Sequence, residues 1–483
     1  MHSLKYIIAS RESGKGRGMT QDLGPQLAAI VGERWIQAGD AIGERYRIDI
    51  SRKYHAAPAW LVKPATTGEV AAVVKAAAGA GVPVTVIGGQ TGTVGGAVPA
   101  DGGIALSLER MNRIVEIDRL SMTMTVEAGC ILQVAAEAAE AQDTLLPLDL
   151  GARGSAMIGG VIGTNAGGNR VLRWGMMRDM VIGLEAVLAD GTILSSLTKM
   201  LKDNAGYNWK HLLIGSEGTL GIVTRAVLRL RPLPTTRQTA LIACGSFEQA
   251  IAVLRRLEVA LSGRLSSFEL MWGDFFAAMT AAQLDQRPAP MAATHGFYAI
   301  VEAMGGDAEA DVPQFERALM ALIEGDVIAD AVIAQSERER EAIWAVREDM
   351  TPGLAPLRPF ASYDVSMGVA DMPAFVTAAR ANVAAAFPGA TMLVYGHAGD
   401  GNLHAILSIG RMDADVQRGF DTAIFDAVKG VGGSIAAEHG IGISRAPFLA
   451  WTRSESELAL MRRLKDAIDP GGVLNPGKVL DAM

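Results

Sequence analysis

Three of the seven histidines fall in two short glycine-rich strings, Tyr395-Gly396-His397-Ala398-Gly399-Asp400-Gly401-Asn402-Leu403-His404 and Ala437-Glu438-His439-Gly440-Ile441-Gly442. Two imidazoles and a carboxylate make a borderline divalent-metal site with positions open for substrate, suited to Zn²⁺ and also to Mn²⁺ or Fe²⁺. Asp400-Gly401 between apolar runs is a hairpin signal that sets His397 and His404 on either side of one turn. The plainer reading is a hydrogen-bonded hairpin beside an unrelated Glu-His pair, because the strings are neither HExxH nor cysteine-based. Trp344-Ala345-Val346-Arg347-Glu348 closes a helical pattern, where an arginine is ordinarily a solvated or i,i+4-paired charge.

A second chemistry is carried by glycine. Gly88-Gly89-Gln90-Thr91-Gly92-Thr93-Val94-Gly95-Gly96 follows a strand-like run, and such a string can turn several backbone N–H groups toward phosphate oxygens. It is not a GxGxxG fingerprint, and no GxxxxGK[ST] string occurs, which weakens nicotinamide and ATP readings. A ligand-free glycine turn is the alternative. Two further segments follow. The first is Pro147-Leu148-Asp149-Leu150-Gly151 with Gly154-Ser155-Ala156-Met157-Ile158-Gly159-Gly160 and Thr164-Asn165-Ala166-Gly167-Gly168. The second is Lys202-Asp203-Asn204-Ala205-Gly206-Tyr207 with Gly215-Ser216-Glu217-Gly218-Thr219-Leu220-Gly221-Ile222-Val223-Thr224.

Three such segments in this order resemble, over about residues 54–232, the FAD-binding domain of the vanillyl-alcohol oxidase and p-cresol methylhydroxylase superfamily. From about residue 235 the chain resembles the D-lactate, D-2-hydroxyglutarate and glycolate dehydrogenase branch. The resemblance implies that FAD is held by Gly88, Gly89, Gln90, Thr91, Gly92, Val94 and Gly95, by Leu150, Gly151, Gly154, Ser155, Ile158, Gly159, Asn165 and Gly167, and by a loop around Ile222 and Val223. Asn475 in VLNPGK is a further cofactor-region candidate, or else part of a helix-ending turn. Members with covalent flavin often carry a histidine in the first loop; this loop has none, so the FAD is expected to be non-covalent.

The same resemblance makes His397, His404 and Glu438 ligands of a divalent metal, Zn²⁺ first with Mn²⁺ or Fe²⁺ as alternatives. It makes His439 the catalytic base, Arg347 the clamp for a substrate carboxylate, and Thr351 a further substrate contact. A metal chelated by a 2-hydroxyl and a carboxylate lowers the hydroxyl pKa, and an imidazole can then take the proton as hydride passes to the flavin. Two positions depart from the hydroxyglutarate-oxidising relatives, which have Lys where Ser362 stands and Asn where Ile406 stands. A monocarboxylic or hydrophobic D-2-hydroxy acid is therefore the expected substrate, with D-2-hydroxyglutarate as the alternative. The rivals are a metal-free flavin oxidase of the same superfamily, a metallohydrolase with structural glycine loops, and a non-catalytic electron-transfer or assembly subunit.

The elements that must position these residues read as follows. Thr66 and Glu69 stand at capping-box spacing before a helical pattern, and VPVTVIGG, IALSLE and MTMTVEA read as strands, with a helix from Ile131 to about Ala141. Beyond Arg231-Pro232-Leu233-Pro234, strand-like and helix-like segments alternate: TALIAC, a helix capped by Ser246 with Gln249, SFELM, FYAIVEAM, a helix near Val312 to Ile323, and VIADAVIAQ. YDVSMGV, a helix from Asp371, TMLVYG, LHAILSI, a helix near Asp413 to Val428 and one from about Ala450 complete the series. Ala76 to Ala100 is uncharged and long enough for a membrane span, but seven glycines and two prolines make it read as a loop.

The expected fold is α+β: a two-subdomain FAD-binding domain of the p-cresol methylhydroxylase type and an antiparallel-sheet cap domain with helices. The expected limits are a flexible N-terminal extension over 1–24, the FAD-binding domain over 25–234, the cap with the metal site over 235–449, and a segment over 450–483 that returns to the FAD domain. A formal charge of -8 disfavours nucleic acid and anionic membrane as partners. Only Cys130 and Cys244 occur, so neither a disulfide framework nor a cluster of iron-ligating thiolates is available. The expected partners are a 2-hydroxy acid and an external electron acceptor, namely an electron-transfer flavoprotein, a cytochrome or a quinone, with no integral membrane span and a homodimer as one option. A cytoplasmic location is expected, or the mitochondrial matrix in a eukaryote.

Overall fold

The structure is a computed structural model that describes residues 23–283 and 287–480. The extension expected over 1–24 lies outside the described residues except for its last two, which open a helix over Leu23–Val31.

The N-terminal half is built on two small sheets. One has the strand order β1 (Ile36–Ala38), β2 (Trp60–Val62), β4 (Ile104–Ser107), β3 (Val84–Ile87), with β2, β4 and β3 parallel. Its helix Thr67–Ala80 starts where expected: the Thr66 side chain accepts the Glu69 N–H, and the helix ends on left-handed Gly81. Val70, Val73, Val74 and Ala77 form its buried stripe, and each fully buried valine contributes about 1.5–3 kcal/mol. The helix end and β3 take up 76–80 and 84–87 and the rest of the 76–100 stretch is loop, and among the described residues no helix is long and apolar enough to cross a membrane.

The other sheet is antiparallel throughout, in the order β5 (Ile114–Asp118), β6 (Thr123–Glu127), β10 (Ile222–Arg229), β8 (Val181–Val187), β9 (Ile193–Ser196). Ile222 and Val223 thus begin a strand rather than lie in a loop. The short strands β7 (Thr144–Leu145) and β11 (Arg231–Pro232) pair with each other and close this half. Leu474 of the C-terminal segment bridges to Val84, and Val473 and Leu474 join the core of the two small sheets.

The C-terminal half is one antiparallel seven-stranded sheet in the order β15 (Asp330–Ile333), β12 (Thr236–Cys244), β14 (Phe297–Gly305), β13 (Leu265–Trp272), β17 (Thr391–Gly396), β18 (Asn402–Ser408), β16 (Ala361–Ser366). Helices Phe247–Ala260, Ala308–Glu324, Met372–Ala386 and Ala414–Gly430 pack one large core against it. Gly273–Gln283, Glu337–Glu348 and Thr351–Leu354 pack a smaller core on the opposite face. The helix expected from Val312 begins at Ala308, because the Asp307 carboxylate caps the Glu309 and Ala310 N–H groups ahead of Pro313. The last helix begins at Glu455, not Ala450. Ser454 and Glu457 form its capping box, and the preceding Ala446–Trp451 is a 3-10 turn.

Candidate active site

A cavity of about 530 Å³ runs from the first glycine loop to the histidine hairpin. Gly88, Gly89, Gln90, Thr91, Gly92, Val94, Leu150, Gly151, Gly159, Gly167 and Val223 line it, and so do Arg347, His397, His404, Glu438 and His439. A cavity of this size is within the range of small-molecule and cofactor pockets. The wall fits a large phosphate-bearing cofactor at close quarters. At Gly92, Gly151 and Gly160 a Cβ would meet nothing within 4 Å, so at these positions bare backbone faces open space. Gly89 is required for a different reason, since a Cβ there would come within 1.9 Å of the Ser155 carbonyl oxygen.

Several expected contacts are not among the residues that line the cavity. Ser155 packs its carbonyl on Gly89, and Gly154 faces Gln133. Ile158 and Ile222 are core residues, at 0 % and 1 % exposure. Asn165 Oδ1 accepts the Arg178 N–H at 2.9 Å, and the Gly95 N–H goes to Asp49 Oδ2 at 2.8 Å. Asn475 is also buried; its Nδ2 donates to Gly96 O at 3.1 Å and Glu217 O at 2.6 Å, fastening the C-terminal segment to the first loop. Thr351 is exposed at the start of a short helix and does not line the cavity.

The hairpin forms as its Asp-Gly signal implies: β17 and β18 are antiparallel, and His397 O accepts N–H groups from Asp400 and Asn402 across left-handed Gly401. His397 and His404 ring centroids lie 5.4 Å apart. One atom each from His397, His404 and Glu438 lie within 4.8 Å of one another. Glu438 divides its carboxylate: Oε2 lies 3.6 Å from His397 Nε2 and 3.9 Å from His404 Nε2, while Oε1 accepts the Gly168 N–H at 2.5 Å. Gly168 has φ +103°, and a Cβ on it would meet Asp149 O at 2.1 Å, so only glycine offers that N–H.

Arg347 is buried, not solvated. Its Nε donates to Glu269 Oε2 at 3.1 Å and its guanidinium stacks 4.5 Å from the Tyr395 ring centroid. His439 is the open member of the group, with a side chain 38 % exposed and Nδ1 3.6 Å from Asp364 Oδ2. That same oxygen accepts the N–H groups of Glu438 and His439, at 3.0 and 2.9 Å, and thereby holds the loop that carries both. From the N-terminal half, Glu217 accepts N–H groups from Ile441 at 2.7 Å and Gly442 at 2.9 Å.

Burial pushes His404 down to about 3, so its imidazole is neutral and able to donate a lone pair. Burial acts the same way on His397, but Glu269 and Glu438 outweigh it and hold this ring well above the ordinary histidine value. The Glu438, Glu269 and Asp364 carboxyls are each driven up by burial and pulled back below the carboxylate range by neighbouring imidazoles, chiefly His397 for the first two and His439 for Asp364. Burial also pushes Asp400, at the hairpin turn, up to about 7.

Glu269, Asp364 and Glu217 are site residues that motif reading did not single out. For Glu269 and Asp364 the available signal was a carboxylate inside the apolar strands SSFELMW and ASYDVS, where an unpaired charge is costly; for Glu217 it was a lone carboxylate in the last glycine-rich segment. Of the two departures from the hydroxyglutarate pattern, Ser362 lines the cavity. Ile406 does not: it is 2 % exposed and packs in the smaller core with Leu393, its cross-strand partner. The part of the substrate expectation that rested on Ile406 is corrected accordingly, and Ser362 alone of the two faces the cavity.

Residues 58–196 match the FAD binding domain family, and residues 233–479 match the family of FAD linked oxidases, C-terminal domain. The chain is 38% identical over 447 residues to a D-2-hydroxyglutarate dehydrogenase of Xanthomonas citri pv. viticola, covering 91% of this chain and 92% of that one. It is 35% identical to the mitochondrial D-2-hydroxyglutarate dehydrogenase of Bos taurus, over 87% of this chain and 76% of the relative. A crystal structure of p-cresol methylhydroxylase with substrate bound superposes with a TM-score of 0.77 over 97% of this chain and 98% of that one, at 17% identity, a likeness of fold.

Proposed function

Because the chain belongs to the FAD-linked oxidase family, we propose that it is an FAD-dependent dehydrogenase that oxidises a D-2-hydroxy acid to the 2-oxo acid. The observation that supports this reading is the continuity of one cavity from the glycine loops to His397, His404, Glu438, His439 and Arg347. The glycine loops, with Val223, would hold FAD non-covalently, and His397, His404 and Glu438 would hold a divalent ion, Zn²⁺ or else Mn²⁺ or Fe²⁺. When bound, FAD supplies a two-electron acceptor and the ion supplies Lewis acidity toward the 2-hydroxyl and carboxylate.

The chain's own groups do the rest. Arg347, its Nε engaged by Glu269, offers its remaining N–H groups to the substrate carboxylate. His439 takes the proton of the 2-hydroxyl, and the buried Asp364 carboxylate favours the resulting imidazolium. His404, buried and neutral, offers a ring lone pair free of a proton. Electrons leave to an external acceptor, an electron-transfer flavoprotein, cytochrome or quinone, in the cytoplasm or mitochondrial matrix.

The tail of the substrate meets a different environment. Arg347 is the one Lys or Arg among the described residues lining the cavity, and Glu348 and Ser362 line it too. A second substrate carboxylate left there without a cation would cost several kcal/mol. A monocarboxylic D-2-hydroxy acid is therefore the preferred substrate. The names of the relatives favour a second reading, D-2-hydroxyglutarate. Anaerobic flavin bleaching with D-lactate, D-2-hydroxybutyrate, D-mandelate, D-malate and D-2-hydroxyglutarate, each beside its L form, tests both. Bleaching by D forms alone, fastest with a monoacid, is expected. Fastest bleaching by D-2-hydroxyglutarate would establish the second reading, and no bleaching by any of the panel would remove the activity.

A further inference from the structure

We propose that Glu269 is a positioning residue that sets, with one carboxylate, both the metal end and the carboxylate-clamp end of the site. The inference rests on the metal and clamp roles proposed above for His397 and Arg347. Glu269 stands in the middle of β13, whose every residue is buried, and is itself 1 % exposed. A carboxylate here has a high desolvation cost, and an apolar side chain of similar volume would serve the sheet as well or better. Nothing in the folding of β13 calls for it.

What it does is divide itself between two cavity-lining residues from separate elements. Oε1 is 2.5 Å from His397 Nδ1, at the head of the hairpin, and Oε2 takes the Arg347 Nε–H at 3.1 Å, at the end of helix Glu337–Glu348. The first contact fixes the tautomer. With Nδ1–H directed at Glu269, the Nε2 lone pair is the one turned toward Glu438 and His404. The second contact fixes the fork. With Nε spoken for and the guanidinium lying over Tyr395, the terminal nitrogens are what remains for a ligand. Moving this one carboxylate therefore displaces a metal donor and a substrate donor together. A residue that served merely to balance the Arg347 charge would leave metal affinity untouched.

The test uses FAD-loaded full-length enzyme and the variants Glu269→Gln, Glu269→Asp and His397→Ala. Zn²⁺ and Mn²⁺ affinities are measured by calorimetry, and KM and kcat by steady-state turnover of the best D-2-hydroxy acid with an artificial electron acceptor. Glu269→Gln should keep its FAD, bind metal roughly 10- to 100-fold more weakly, and raise KM as well as lower kcat. Glu269→Asp keeps the charge but draws it back by one methylene, so it should fail to restore either affinity or KM. Should Glu269→Gln not fold, the Asp variant decides alone. Wild-type metal affinity and KM in Glu269→Asp, or in a folded Glu269→Gln, while His397→Ala has lost its metal, would overturn the positioning role. Undiminished metal binding by His397→Ala would instead remove the metal reading itself, and this inference with it.

Discussion

A histidine that ligates and a histidine that moves protons need opposite surroundings. His404 is 6 % exposed and burial keeps it neutral, whereas the His439 side chain is 38 % exposed beside the Asp364 carboxylate. Substitutions should separate them. His439→Ala removes a group acting mainly in the transition state, so kcat should fall by roughly 10²-fold or more with FAD and metal still bound. Arg347→Ala should raise KM, and Arg347→Lys should not restore it, because an ammonium cannot reproduce the fork. Single-turnover flavin reduction separates binding from chemistry here, and an unchanged reduction rate in His439→Ala would eliminate it as the base. His397 makes a further prediction at this scale. Its Glu269 and Glu438 neighbours raise its pKa in the metal-free protein, so a proton must leave before metal can bind. Apparent metal affinity should therefore rise with pH through neutrality, with about one proton released per ion in calorimetry across buffers of different ionisation enthalpy. A pH-independent affinity would contradict that picture.

Elements decide how much of this could be read from the chain. The Thr66, Ser246 and Asp400-Gly401 signals are local: a cap or a turn is fixed by residues within a few positions, and all three appear in the structure as the sequence implies. Glu269 is different. Its partners lie 128 and 78 residues away, so nothing near it in SSFELMW says whether it faces a site or a neutralising arginine. Asp364 is likewise joined to His439 across 75 residues. Ile406 departs from its expectation because a motif resemblance gives a strand position but not how deep the site reaches along that strand. It lies two residues from His404 on the same face of β18, yet the smaller core covers it. The glycine loops are legible in type, not in detail, since which glycines face the cavity and which face the neighbouring backbone depends on how the loops stack. Gly89→Ala tests the stacked kind. Its Cβ would collide with a carbonyl oxygen that cannot swing away, and overpacking of this sort costs about 1–3 kcal/mol. FAD should dissociate roughly 5- to 150-fold more readily, seen as a lower flavin-to-protein absorbance ratio after gel filtration. Full flavin retention would mean the loop is free to shift.

At the scale of the whole molecule, the two halves meet through the site itself. Gly168 N–H holds one oxygen of Glu438, and Glu217 holds the Ile441 and Gly442 N–H groups just beyond His439. Away from that loop, Asn169 Nδ2 binds Glu348 Oε1 at 3.0 Å and Arg173 Nη1 binds Met304 O at 2.6 Å. Gly167, Gly168, Asn169 and Glu217 line the same cavity as the first glycine loop, so a cofactor that orders this wall also orders the donors that aim Glu438. FAD and metal should then bind cooperatively. Couplings of this kind are typically about 1–3 kcal/mol, or roughly 5- to 150-fold, and thermodynamic linkage requires the factor to be the same in both directions. Stripping FAD should weaken Zn²⁺ binding by that factor, and removing metal should weaken FAD by the same one. Glu217→Ala removes two of the hydrogen bonds that tie the His439 loop to the N-terminal half while leaving the His397, His404 and Glu438 donors in the chain, so it should shrink the coupling more than it lowers either affinity in isolation. Four titrations close the cycle: metal with and without FAD, and FAD with and without metal. Equal metal affinity in FAD-loaded and FAD-free protein, both shown folded by their thermal transitions, would reduce these inter-half hydrogen bonds to docking contacts with no part in assembling the site.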